Sequence, residues 1–174
     1  MNNFLRKIKL VKDITIQLPV SKIDFIQKFR NNVDESDLGY VPFEVFQSSR
    51  NEYKGNIENN SFDLKRRKRL FDTGYSFAKV NGNLIQENDK LVIDAEIIGF
   101  RKRMIIFFAF IVFFYLIAFT GMILTGDNVS LIFLPFLLFH MSIMLGIPYF
   151  VIRRSVNRMA YNLERDFHYW VTKN

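Results

Sequence analysis

MIIFFAFIVFFYLIAFTGMIL occupies Met104–Leu124, and LIFLPFLLFHMSIMLGIPYFVI occupies Leu131–Ile152. Neither run holds a Lys, Arg, Asp or Glu, and only Thr125-Gly126-Asp127-Asn128-Val129-Ser130 separates them. A helix rises about 1.5 Å per residue, so about 20 residues cross a hydrocarbon core about 30 Å thick. The two runs predict a transmembrane hairpin. In the first, fourteen Ile, Leu, Val and Phe side chains favour insertion by roughly 4–8 kcal/mol, with no charge opposing.

Working outward, the hairpin divides the chain into 1–103, a cytoplasmic β-rich sensor domain; 104–152, the two spans 104–124 and 131–152; and 153–174, a C-terminal amphipathic cytoplasmic helix. Arg101, Lys102 and Arg103 abut the first span, and Arg153, Arg154 and then Arg158 follow the second, while the join carries Asp127 and no Lys or Arg. Positive residues are retained on the cytoplasmic side, so both termini are expected there, at a bacterial inner membrane. These basic flanks also attract anionic lipid, making the bilayer itself the first partner. Met1–Val20 alternates apolar with polar residues instead of carrying a continuous apolar core, so no signal peptide is read there.

The second span is the more polar, with Pro135, His140, Ser142, Gly146 and Pro148. His140 lies ten residues into it. Folding the hairpin about its join brings Tyr115 to the same depth, where a Tyr115–His140 hydrogen bond would satisfy both groups away from lipid. An ionisable residue inside a membrane is a functional candidate. Two readings stand: a neutral histidine joining two helices, or a role in gating, oligomerisation or proton response. Two spans cannot enclose a pore in one copy, so any pore requires a homo-oligomer.

The soluble part reads as α+β. Ile8, Leu10, Ile14, Ile16 and Leu18 alternate with polar residues as a half-buried strand does. Ser21 offers an N-cap for a short helix, with Asp24 at its third position and Phe25, Ile26 and Phe29 on one face. Asn31–Tyr40 reads as a polar loop, and Val41–Gln47 as a further strand. From Tyr53 the pattern is β: Tyr53, Gly55 and Ile57; a turn at Glu58-Asn59-Asn60; Phe62, Leu64 and Arg66; a break at Asp72-Thr73-Gly74; Ala78 to Leu84; a turn at Glu87-Asn88-Asp89; and Leu91 to Ile97. Short strands joined by tight polar turns predict an antiparallel meander, closed as a small barrel or curled with one helix. After the second span, Val156, Met159, Ala160, Leu163, Phe167 and Trp170 recur at helical spacing. That amphipathic segment is read as packing on the β domain, with the membrane surface as the alternative.

Catalytic patterns are absent from the sequence. There is no cysteine, the only histidines are His140 and His168, and no HExxH, Walker or GxGxxG motif occurs. A non-enzymatic protein without cofactor or metal is expected. Asp34, Glu35 and Asp37 lack the spacing of a calcium loop. Asp94 and Glu96 read as ordinary acids on a polar strand face. The unusual soluble feature is Lys65-Arg66-Arg67-Lys68-Arg69, five cations in a row. Alternation sends Arg66 and Lys68 to one face and Lys65, Arg67 and Arg69 to the other. Their repulsion requires counter-charge nearby. One reading is a solvated strand end facing anionic lipid. The other is an anion site, in which arginine gives bidentate phosphate contacts and Tyr75 and Phe77 stack on a base. That second reading suits a cyclic nucleotide or another anionic small molecule, and not nucleic acid.

A β-rich cytoplasmic domain coupled to two spans, with no catalytic constellation, resembles the two-transmembrane β-strand-rich effectors of nucleotide-signalling, CBASS-like antiphage defence. The resemblance implies a small barrel that binds a cyclic nucleotide, and spans that assemble and damage the inner membrane. In that class the spans precede the barrel, whereas here they follow it, and no binding residue is carried over. Phe62-x-Leu64-x-Arg66, Ser76-Phe77 and Gly82-x-Leu84 are similar to a pattern in small bacterial two-span proteins. A membrane-anchored scaffold docking a partner protein and a lipid-binding domain are the alternative functions.

Overall fold

The computed structural model describes residues 2–39, 43, 46, 49–67, 76–125 and 128–173. They form two compact units, Met1–Gly99 with Ile152–Asn174, and Phe100–Val151.

The first unit is an α+β layer pair. Helix α1 (Asn2–Lys7) leads into β1 (Val11–Leu18); α2 (Lys22–Asn32) runs directly into β2 (Val33–Glu35); then come β3 (Tyr53–Glu58), β4 (Ser61–Arg66), β5 (Lys79–Glu87) and β6 (Lys90–Ile98). The sheet order is β1-β6-β5-β4-β3-β2. β1 and β2 are its two edges, so the sheet is open and the expected barrel is not formed. It is also mixed: β2 pairs parallel with β3, and the other neighbours pair antiparallel. Closure is replaced by helices. The apolar face of the sheet is filled by Phe25 and Phe29 of α2, and by Val156, Met159, Ala160, Leu163, Phe167 and Trp170 of the last helix. With those side chains supplying the second layer, the strands have no need to wrap around their own interior.

Two local expectations change. The polar loop read over 31–40 instead contains the end of α2 and the strand β2. Ile8 and Leu10 do not belong to the first strand, because they follow a helix end. There Leu10 N–H donates to Leu5 C=O (2.9 Å) and Lys9 N–H to Arg6 C=O (3.0 Å), with Lys9 at φ 61°. This is a Schellman closure, and buried Leu5 and Leu10 supply its apolar contact. The strand expected at Val41–Gln47 and the break at Asp72-Thr73-Gly74 fall largely or wholly outside the described residues.

Other signals appear in place. Ser21 caps α2, its Oγ accepting from Asp24 N–H (3.2 Å). The hairpins β3–β4 and β5–β6 turn through Asn59-Asn60 and Asn88-Asp89, each with its first asparagine at positive φ, a conformation asparagine tolerates better than most residues. At the centre of the core, Phe62 lies across β5. A Cβ on Gly82 would meet the Phe62 ring at 2.2 Å, so only glycine admits that crossing. Phe25, Phe29, Phe62, Phe167 and Trp170 then pack ring against ring, with centroids 5.1–6.2 Å apart.

The second unit holds α3 (Lys102–Thr125) and the first part of α4 (Asn128–Thr172). Both helices are long and apolar enough to cross a membrane. The amphipathic segment is not a separate element: α4 is a single helix of 45 residues that enters both units and holds Pro135 and Pro148.

Candidate functional site

The basic run begins on the polar face of the sheet. Lys65 on β4 is cross-strand neighbour to Lys54 on β3 and Lys79 on β5, and Lys54 faces Asp34 on β2. Lys54 and Lys65 are only 2% and 7% exposed. Three lysines in one row across a sheet repel each other, so acids are needed beside them. Lys79 Nζ pairs with Asp63 (3.0 Å).

Arg67, just beyond β4, places Nε 2.7 Å from Asp34 Oδ2, and its backbone N–H donates to Glu52 C=O (2.8 Å). Asp34 also accepts from Ser49 Oγ (2.6 Å) and Asn51 Nδ2 (2.8 Å). Burial by itself raises the Asp34 pKa. The hydrogen bonds from Ser49 and Asn51 and the charge of Arg67 outweigh it, and the carboxyl sits below its ordinary value.

Arg66 points to the opposite face, as alternation requires, and Nη2 lies 3.2 Å from Glu52 Oε2. On that face Tyr53 Oη donates to Asp166 Oδ2 of α4 (2.5 Å), and Asp166 is paired with Arg165 (2.7 Å). Burial, then the bond to Asp166, raise the Tyr53 pKa well above the ordinary phenol value. Arg66 and Arg67 are thus each held by an internal carboxylate. The two arginines lie on opposite faces, so an incoming anion would compete with Glu52 for Arg66 or with Asp34 for Arg67. Lys68, Arg69 and Tyr75 lie outside the described residues.

Phe77 precedes β5 with its side chain 40% exposed, and its N–H donates to Ser155 Oγ (2.7 Å). Beside it, buried Ser76 Oγ lies 2.9 Å from Ser155 Oγ and accepts from Ala78 N–H (3.2 Å). These bonds tie α4 to the start of β5. Sequence reasoning missed Ser76, Ser155, Glu52 and Asp166 as members of the cluster. A usable signal existed for Ser155, which falls one residue before Val156 and four before Met159, on the apolar stripe.

In the second unit, Tyr115 Oη lies 2.5 Å from His140 Nδ1, and the Phe136 ring stacks on His140. Tyr115 is 3% exposed, whereas Phe113, Phe114, Leu116 and Ile117 around it on α3 are exposed. The more covered positions form one stripe on each helix: Phe108, Ile111, Tyr115 and Met122 on α3, and Leu134, Leu137, His140 and Met141 on α4. Many other positions are open Phe, Ile and Leu, among them Phe110, Phe113, Leu116, Ile132, Phe139 and Ile147. Of the basic flanks, Arg101 precedes α3, Lys102 and Arg103 open it, and Arg153 and Arg154 lie within α4.

Among the described residues, no group of three or more His, Asp or Glu is placed to hold a metal ion. Comparison of the chain with protein-family models, with curated proteins and with solved structures returns no match, so the functional reading rests on these residues alone.

Proposed function

We propose that this chain is a non-enzymatic, membrane-anchored sensor and effector. α3 and the apolar part of α4 cross the bilayer, the sheet unit receives a ligand or partner, and the spans of several copies carry the output. The observation that carries the reading is the surface of the two helices. Their most apolar windows are only 11% and 6% buried, with mean hydropathies of 2.5 and 1.8. A core helix of a water-soluble protein hides such residues. Leaving them in water costs about 1.5–3 kcal/mol for each large apolar side chain, a cost lipid removes. The basic flanks and the acidic join support cytoplasmic ends and a bacterial inner membrane.

The coupling is supported by α4, which contributes to both units. A ligand acting on the cluster of Arg66, Tyr53 and Asp166 acts on that same helix. In its most concrete form the ligand is a cyclic nucleotide and the output is membrane damage in antiphage defence, a form that comes from the resemblance in architecture. A second reading, a scaffold that docks a partner protein at the membrane, is favoured by one observation: Glu52 and Asp34 already neutralise Arg66 and Arg67.

The test uses the full chain, which has no cysteine of its own. Asp127→Cys is expected to react with a membrane-impermeant maleimide applied to whole cells, and Asn88→Cys only after lysis. The reverse pattern would overturn the cytoplasmic placement of the ends, and release of the chain by alkaline carbonate would sink the membrane reading. For the ligand, the chain in detergent micelles is heated with cyclic dinucleotides. A rise in melting temperature that Arg66→Gln with Arg67→Gln abolishes supports the nucleotide. No rise with any of them moves the reading to the scaffold.

A further inference from the structure

β1 is an edge strand of eight residues, and its hydrogen-bonding parity can be worked out. Gly99 N–H donates to Leu10 C=O, and the register continues as Val11↔Ile98 through Leu18↔Leu91. In an antiparallel ladder, bonded pairs alternate. Leu10 therefore spends its C=O, and Lys12, Ile14, Ile16 and Leu18 their backbone groups, toward the β6 side, and Val11, Asp13, Thr15 and Gln17 direct N–H and C=O away from the sheet. Among the described residues none of these eight outward groups takes part in a turn, loop or cap bond. Lys12, Asp13, Thr15 and Gln17 are exposed. Such an edge is a template for another strand.

The geometry points to this edge as a self-pairing surface, on which a second copy of the chain docks antiparallel about a two-fold axis at Ile14. In that register Val11 lies opposite Gln17 of the second copy and Asp13 opposite Thr15, and the same pairs recur beyond the axis. The outward groups of Asp13 and Thr15 are then satisfied in each copy, and Val11, 4% exposed in the single chain, has to be uncovered for its pairing with Gln17. Ile14, half-buried at the rim of the core, meets the other Ile14 at the close, non-hydrogen-bonded position of the ladder. Lys12 falls opposite Ile16, and Asp13, already paired with Arg6 at 2.7 Å, falls opposite a threonine. No like charges meet. The result is an isologous interface, the symmetry of most dimers, and a continuous twelve-stranded sheet. The inference goes beyond the membrane reading and rests on the β1 edge.

The test is cysteine cross-linking of the full, otherwise cysteine-free chain in detergent micelles. Facing residues at a non-hydrogen-bonded pair are about 4.5 Å apart at Cα, within reach of a disulfide. Ile14→Cys is expected to form a disulfide dimer under mild oxidation. Lys12→Cys and Gln17→Cys, offset from their own copies by four and six residues, are expected to give at least tenfold less. Thr15→Pro removes an N–H that points away from β6 and leaves the internal ladder intact. Added to Ile14→Cys it is expected to abolish the cross-link. Light scattering provides a check that needs no cysteine: the mass of the unmodified chain should fall by half with Thr15→Pro. A cross-link at Ile14→Cys no stronger than at Lys12→Cys, or a mass that Thr15→Pro leaves unchanged, overturns the proposal and leaves the edge to a strand of another protein.

Discussion

Lys9 holds a φ of 61° at the end of α1, a position where helices ordinarily place glycine. The left-handed conformation costs an L-residue roughly 1–2 kcal/mol. Lys9→Gly is therefore expected to stabilise the chain by about 1 kcal/mol, read as a rise in the urea midpoint at unchanged slope. Gly82 is the opposite case, because the Phe62 ring occupies the space a methyl would need. Gly82→Ala should cost about 1–3 kcal/mol, the usual range for an overpacked core. Two single groups contribute pH-dependent stability to the sheet unit. Tyr53 has its pKa raised, so its contribution is complete below the ordinary phenol value of 10.0 and is lost as pH rises past it. Asp34 has its pKa lowered, so its contribution is complete above 3.8 and is lost as pH falls. Denaturation followed against pH should show both limbs. Tyr53→Phe should flatten the alkaline limb and cost about 1.5–3 kcal/mol at neutral pH, the worth of a hydrogen bond to a charged acceptor.

Among the elements, α2 depends on Ser21, and Ser21→Ala should cost about 1 kcal/mol in chemical unfolding. This helix was legible in advance, because an N-cap, an acid three residues later and an apolar face are all local signals. The turns at Asn59-Asn60 and Asn88-Asp89 were legible for the same reason, as were the lengths of α3 and the apolar part of α4. What local pattern cannot supply is partnership. Three residues, Val33–Glu35, are too few to show a period, and their parallel pairing with Tyr53–Gly55 depends on a return of the chain that no neighbour encodes. Ile8 and Leu10 show the opposite failure, since a period of two arose by chance across a helix end. In the candidate site, alternation correctly sent Arg66 and Arg67 to opposite faces and demanded counter-charge. It could not name Glu52 and Asp34, which lie 14 and 33 residues away in the chain.

For the whole molecule, the expectation of a barrel failed because a meander leaves open whether its apolar face closes on itself or is covered from outside. The covering layer comes from Val156–Trp170, far along the chain. Gly99 lies against Ile152 and Val156, so the two segments of the sheet unit meet where the hairpin leaves and returns. Replacing Phe100–Val151 with a short Gly-Ser linker should give a water-soluble protein with a sharp thermal transition. Residues 1–99 alone should bind a hydrophobic dye and melt without cooperativity. A cooperative transition in the shorter piece would show that the last helix is dispensable.

The position of that covering segment also sets an order of events during synthesis. The ribosome makes every strand of the sheet before either long helix, and Phe167 and Trp170, near the end of α4, are made last. Until then the sheet exposes the face on which Leu64, Ile93 and Ile97 will be buried. A nascent chain halted in the hairpin is thus left with an unfinished core, open to chaperones and proteases. Completion of the sheet unit becomes a checkpoint that a chain cut short before Val156 does not pass.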